Sequence, residues 1–312
     1  MEDLISERSQ TADKTRNIYE KQHNMYLKDD VLFNRFLKMY SDLSYYHLED
    51  DDLNGKSILD AGCGNTAYFQ LAMHRFGVKS QTCLELGDNW IKPLQEKLSQ
   101  FDVPLQSMRF VPGSTDSLPF ENEEFDFVSS NGVLVHLNDT DQAGKSFEEL
   151  ARVTKSGGHL YVVLGTTGGL FEEEVFPAVR RFYNKNETFK NLVDNISPEL
   201  IQKLLGQHEK VTNEHADEKV NYEKFAQLFD YDFCAFLQNV IQAPTRYCTD
   251  LDENWVRKMF ADHGFEEPKR CRRFVQRKNI RKHFAALHYD MTSTMSQILY
   301  GNGNMEWIAK KK

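Results

Sequence analysis

The chain has 312 residues, 40% hydrophobic and 27% charged, which suits one full α/β domain with an appendage. Its formal net charge of −9 weighs against a general nucleic-acid binder, and no apolar run approaches the roughly 20 residues of a membrane span. Five scattered cysteines without a Cys-x-x-Cys pair indicate neither a disulfide framework nor a zinc site, and the first residues lack the basic start and apolar core of a signal peptide, so a reduced, cytoplasmic setting is expected.

Residues 1–50 read as helical. Phe33, Phe36, Leu37 and Tyr40 recur at helical spacing, and Tyr19, His23 and Tyr26 fall on the helix before them. Glu49 to Asp52 followed by Asn54-Gly55 is a turn into the first strand, Ser57 to Ala61. That strand carries Asp60 and runs straight into Gly62 and Gly64. Glycine tolerates positive φ and lets a ligand approach without meeting a Cβ. A carboxylate at Asp60, just ahead of the glycines, favours a ligand bearing an ammonium group. Gly62 to Ala67 also fits the loose dinucleotide pattern, which alone decides nothing between cofactor classes.

A second strand, Gln81 to Glu85, ends in an acid 23 residues after Gly62 that can take both hydroxyls of a cofactor ribose in either class. Phe110 to Phe120 and Phe125 to Leu134 follow. Then comes a helix through Phe147, Leu150, Ala151 and Val153, closing at Gly157-Gly158 before the strand His159 to Leu164. Strands and helices in alternation imply a parallel sheet. Residues 165–245 are more than that core needs and carry apolar faces at helical spacing, so a folded helical insertion is expected. Residues 246–312 complete the core with a helix from about Asp252 to His263, a sixth strand from Phe265 to Phe274, and a hairpin joining Ile298–Tyr300 to a seventh strand, Met305 to Ala309. Lys269, Arg270, Arg272, Arg273, Arg277, Lys278, Arg281 and Lys282 crowd one segment, either a solvated face or a docking site for an anionic partner.

The order and spacing of these motifs over residues 56–164 resemble the class I S-adenosylmethionine-dependent methyltransferases, and the end of the chain does so more loosely. The resemblance implies a doubly wound, mostly parallel, seven-stranded Rossmann-like sheet, with the seventh strand antiparallel. It implies S-adenosylmethionine as cofactor, S-adenosylhomocysteine as product, and no metal. Residues 1–50 would form a lid, 51–164 the cofactor-binding core, and 165–245 a roof over the acceptor pocket or a subunit contact compatible with a homodimer.

By the same resemblance, Gly62 and Gly64 floor the methionine part of the cofactor, Asp60 meets its ammonium and Glu85 holds the ribose. Leu86 packs on the adenine or simply in the core. Ser114 stands where many relatives have an aspartate for the adenine amino group, with Asp116 two residues on as a substitute. Thr115 and Asn131 lie at strand ends facing the same cleft. His136, Tyr19 and Tyr26 are the candidates for the acceptor side, although an in-line displacement at a methyl sulfonium depends more on placement than on a dedicated base. Asn239 and Gln242, one turn apart, are either substrate contacts or internal ties. The acidic charge and the insertion favour a small-metabolite acceptor methylated at O, N or S. The basic segment keeps RNA or protein open as acceptors, and the core motifs equally permit non-methyl chemistry with the same cofactor.

Overall fold

The computed structural model describes residues 16–20, 27, 30–215, 222–242, 250–271, 279–284 and 286–312. Residues 16–20 are helical, and helix α1 (Asp30–Tyr40) follows them. Strand β1 (Ser57–Ala61) leads to α2 (Tyr68–Arg75), β2 (Ser80–Glu85), α3 (Ile91–Leu98), β3 (Met108–Pro112) and β4 (Phe125–Asn131). Helix α4 (Thr140–Val153) and strand β5 (Thr154–Leu164) complete the first half.

These strands and two later ones form one seven-stranded sheet in the order β3-β2-β1-β4-β5-β7-β6, with β7 (Met305–Lys310) antiparallel to both neighbours. The order reverses between β1 and β4, so the carboxyl ends of those strands splay around a crevice. Two buried clusters cover the faces. Phe147, Leu150 and Phe260 pack with Leu59, Val128 and Trp307 on one side; Phe33, Tyr46 and Phe69 pack with Ile58, Phe127 and Tyr161 on the other. The amphipathic spacing read in α1 is realised, with Phe33, Leu37 and Tyr40 buried.

Local chemistry sets the helix ends. Asp139 caps α4 by accepting from the Gln142 N–H at 2.7 Å. Helix α4 stops earlier than expected: Thr154 is already extended and begins β5, its hydroxyl donating to the Leu150 carbonyl at 2.7 Å. Gly157 and Gly158 therefore lie inside the strand. A Cβ on Gly158 would come within 2.7 Å of the Asp126 carbonyl, so this glycine serves close strand approach, while Gly157, with open space around it, takes a left-handed φ of 76°.

Two expectations near the end of the chain fail. Ile298–Tyr300 is not a hairpin arm but the last turn of a helix, α12 (Thr294–Tyr300), preceded by α11 (Arg281–Phe284). Ser293 caps α12, and Gly301 ends it (φ 54°) against the Thr167 and Gly168 backbone, where a Cβ would meet the Thr167 oxygen at 2.1 Å. The Gly-Asn-Gly-Asn turn thus joins a helix to β7. The sixth strand is the short β6 (Lys269–Arg270), while Phe265 makes only an isolated bridge to Lys311. Pro268, with no N–H to donate, interrupts the ladder between them; residues 272–278 lie outside the described residues.

Between β5 and α10 (Glu253–Asp262) lie α5 (Phe176–Lys185), α6 (Glu187–Asp194), α7 (Pro198–His215), α8 (Tyr222–Ala226) and α9 (Tyr231–Gln242). Polar side chains bind them together. Tyr183 donates to Asp194 at 2.6 Å, Gln242 donates to the same carboxylate at 2.8 Å, and Gln238 donates to the Val193 carbonyl at 3.0 Å. Gln242 is therefore an internal tie. Asp232, 1% exposed at the start of α9, gathers three segments: Arg35 from α1 and Arg281 from α11, each at 3.1 Å, and Asn279 at 2.7 Å.

Candidate functional site

A cavity of about 740 Å³ opens at the carboxyl ends of β1, β2, β4 and β5. Its floor is the turn after β1. The Gly62 and Cys63 amides both donate to the Leu84 carbonyl, at 2.7 and 3.1 Å, which bends the chain sharply across the end of β2. Gly62 and Gly64 take φ of 93° and 57°, and Ala67, in third place in the pattern, also turns left-handed at 67°. A Cβ on Gly62 would lie 2.1 Å from Val133 Cγ2, so glycine is needed there for packing against the β4 exit as well as for the turn.

Glu85 closes this turn from β2. Its two oxygens accept from the Gly64 N–H at 3.0 Å and the Leu86 N–H at 2.9 Å. Burial raises its carboxyl above the usual range, and the two amides oppose that rise. Each oxygen keeps lone-pair capacity for further donors. Asp60 is 4% exposed and accepts from Gln70 Nε2 at 2.7 Å. Burial, against the help of the Ser129 hydroxyl, and the nearby Glu85 charge push its carboxyl up to about 7. A ligand cation placed here would return it to the ionised form. Beside it, Asn65 is buried, and its Oδ1 has no hydrogen-bond partner among the described residues.

The other expected residues divide between free and engaged groups. Leu86 and Ser114 line the cavity, as do Thr115 and Asp116, but the Thr115 hydroxyl pairs with Ser146 at 3.0 Å and Asp116 accepts from Gln142 at 2.7 Å. Asn131 donates to the Tyr40 hydroxyl at 2.6 Å, joining the end of β4 to α1. Tyr19 and His136, 117 positions apart in sequence, meet at the cavity wall: the Tyr19 hydroxyl lies 2.7 Å from His136 Nε2 and the ring centroids are 4.7 Å apart. Asn239 also lines the cavity. Tyr26, and with it His23, lies outside the described residues.

Sequence reasoning missed much of the far wall. Tyr40 and Tyr68 stack there at 5.3 Å and Phe171 stacks on Tyr300 at 5.2 Å, while Phe176 and Phe236 add apolar faces from the insertion. The Thr166 hydroxyl meets His288 Nε2 at 2.7 Å, and the Arg281 guanidinium lies 4.1 Å over the Phe236 ring. Glu306 reaches the cavity from β7. One signal for it was visible: a lone acid inside the apolar run Met305-Glu306-Trp307-Ile308.

The floor, the acid at the end of β2 and the buried acid at β1 fit an adenosyl cofactor with an amino-acid tail. Glu85 would hold its ribose, and Asp60 and the orphaned Asn65 oxygen would meet its ammonium.

Residues 59–162 match the protein family described as "Methyltransferase domain". Among curated proteins, the tRNA U34 carboxymethyltransferase of Pseudomonas savastanoi is 36% identical over 85 residues, which are 27% of this chain and 26% of that protein. The phthiotriol/phenolphthiotriol dimycocerosates methyltransferase of Mycobacterium leprae is 33% identical over 131 residues, 40% of this chain and 43% of the relative. The chain thus spans about a quarter of the length of the first relatives it matches. The crystal structure of the YcgJ protein of Bacillus subtilis aligns over 83% of this chain and 94% of its own at 15% identity, with a TM-score of 0.42.

Proposed function

We propose that this chain, whose residues 59–162 are a class I S-adenosylmethionine-dependent methyltransferase domain, moves a methyl group to O, N or S of a small metabolite by in-line displacement. The observation that carries the proposal is the clasp of Glu85 on the glycine floor, at the mouth of a cavity that continues past the floor into an aromatic chamber.

When bound, S-adenosylmethionine supplies a methyl group activated by its sulfonium. The chain's own residues bind and orient. Gly62 and Gly64 keep the floor clear of side chains, Glu85 would accept the ribose hydroxyls, and Asp60 would pair with the ammonium. The chamber formed by Tyr40, Tyr68, Phe171, Phe176 and Phe236 excludes water from the displacement and suits a compact acceptor better than an exposed polymer. His136, held by Tyr19, is placed to take a proton from an acceptor that carries one. In this reading residues 1–50 act as a lid and 165–245 as the roof.

A nucleic-acid acceptor is favoured by one observation, the kinship of the core with tRNA-modifying enzymes over about a quarter of their length. Against it, the described cations of the basic segment include two that face inward. Arg270 donates to the Asn304 carbonyl at 2.9 Å, and Arg281 pairs with Asp232. Incubation with methyl-labelled S-adenosylmethionine and a fractionated cell extract separates the readings. Label in the small-molecule fraction supports a metabolite acceptor; label in RNA or protein overturns it.

A further inference from the structure

The turn Gly301-Asn302-Gly303-Asn304 places two asparagines where the chain enters β7, and their side chains have different fates. Because β7 runs antiparallel to β5, its first residues stand at the carboxyl ends of the parallel strands, where the cavity opens. Met305 pairs with Leu164, and Asn304 lies one step beyond, next to Gly165 and Thr166. The turn is closely held. Asn302 donates from its backbone to the Thr167 carbonyl at 2.9 Å and from its side chain to the Thr167 hydroxyl. Arg270 donates to the carbonyls of Asn302 and Asn304, the latter at 2.9 Å, and the Asn304 N–H donates to the His288 carbonyl at 3.3 Å. Gly303 takes a φ of 63°, with no room for a Cβ beside Met291 and the His288 carbonyl.

Asn302 is therefore a structural tie. Asn304 is not: it lines the cavity, and its Nδ2 is buried with no hydrogen-bond partner among the described residues. With its backbone N–H and carbonyl both engaged, the carboxamide is the group Asn304 has left for a ligand. A half-turn about its last torsion, a soft two-fold one, exchanges Nδ2 with Oδ1, so the side chain can present a donor or an acceptor. Thr166, also on the cavity wall, adds a second polar group. Its hydroxyl meets His288 Nε2 at 2.7 Å, and in either histidine tautomer its oxygen keeps a lone pair. A buried amide with its hydrogen bonds unmade lowers stability, and leucine would occupy the same volume without that cost.

We propose that Asn304 and Thr166 form a polar subsite for the methyl acceptor, one that takes a neutral group able both to donate and to accept, such as a hydroxyl, a carboxamide or a ring amide. The inference rests on the methyl-transfer reading above and adds to it the wall that holds the acceptor and the chemistry that holds it. Such a group donates to the Thr166 oxygen and exchanges its other hydrogen bond with the Asn304 amide. Tyr300, which precedes the turn and stacks on Phe171 at 5.2 Å, supplies an apolar face for the rest of the acceptor.

The test compares the parent protein with Asn304→Leu, Asn304→Asp and Thr166→Val. It measures transfer from methyl-labelled S-adenosylmethionine to the small-molecule fraction of a cell extract, together with melting temperature and S-adenosylhomocysteine affinity. Leucine has the shape of asparagine and removes the unmade hydrogen bonds. Asn304→Leu should therefore melt at or above the parent temperature and yet transfer at least tenfold less label. Asn304→Asp should lose transfer to a similar degree, because it sets a charge against a neutral group. Thr166→Val should lose at least threefold, and S-adenosylhomocysteine affinity should stay within threefold in all three variants. Unchanged transfer in Asn304→Leu or Thr166→Val would overturn the proposal, since the amide and hydroxyl would then meet only water. So would a lower melting temperature in Asn304→Leu, the mark of a structural tie, or faster transfer by Asn304→Asp, the mark of a cationic acceptor. A loss of S-adenosylhomocysteine affinity that parallels the loss of transfer would overturn it as well. If the parent itself labels nothing in that fraction, the small-metabolite reading fails first and this inference with it.

Discussion

Replacing Glu85 with alanine should weaken S-adenosylhomocysteine binding by at least tenfold without unfolding the protein. Each Glu85 oxygen already accepts one backbone N–H, from Leu86 at 2.9 Å and Gly64 at 3.0 Å, so the carboxylate is oriented before any ligand arrives. Two ribose hydroxyls would add two hydrogen bonds to a charged group, each worth about 1.5–3 kcal/mol. Water entering the space left by the side chain recovers part of that. A net loss of about 2–3 kcal/mol remains, on the order of 30- to 150-fold in affinity. Glu85→Gln should fall in between, because its amide group turns a donor toward one of the two N–H donors. Titration calorimetry with S-adenosylhomocysteine measures the loss, and circular dichroism confirms the fold. An alanine variant that binds within threefold of the parent would refute the ribose assignment and the logic that places the cofactor on this floor.

Gly62→Ala should be destabilising, because left-handed backbone costs a non-glycine residue about 1–2 kcal/mol and the new Cβ would meet Val133 Cγ2 at 2.1 Å. Adding Val133→Ala should restore part of the melting temperature; no recovery would mean that strain alone is responsible. Since the Asp60 carboxyl is pushed up to about 7, chiefly by burial, and a ligand ammonium needs it ionised, S-adenosylhomocysteine affinity should rise by roughly tenfold from pH 6 to pH 8. Proton release on binding should accompany the rise, and Asp60→Asn should flatten the profile. The same shift makes the ligand-free protein hold a proton that the unfolded chain gives up. Asp60 therefore favours folding below its ordinary pKa of 3.8 and loses that effect as pH climbs through about 7, which a melting series across pH 4 to 8 would show. Tyr19→Phe, which removes the 2.7 Å contact to His136, should lower label transfer while leaving S-adenosylhomocysteine affinity unchanged; equal effects on both would move the pair to the cofactor side. Asp232→Ala strands Arg35 and Arg281, both partly buried, and should cost about 3–5 kcal/mol in denaturant unfolding.

The fold and the glycine turn at the end of β1 were legible in the sequence because they are written in short-range chemistry. A buried strand, an acid, two glycines and a second acid at the next strand end need only local backbone rules to be recognised. Asp60, Gly62, Gly64, Glu85, Leu86, Ser114 and Asn131 accordingly lie together on the cavity wall. The misread pieces also have local causes. Pro268 broke the expected sixth strand, and the Ser293 cap turned the expected hairpin arm into a helix, signals that an apolar run obscures.

Tertiary structure alone decided the aromatic part of the cavity. Asn239 lines it, while Gln242, a turn away, is taken by Asp194. The two differ only in which way each faces once α9 packs on α6. The meeting of Tyr19 with His136, and the delivery of Glu306 from the last strand to a crevice formed by the first five, follow from a sheet order that no spacing along the chain encodes. The proposed cofactor floor is built within consecutive strand-turn-helix units and so is written contiguously. The proposed acceptor wall is gathered from residues near the two termini and from the insertion, so its chemistry exists only after the sheet has closed around it.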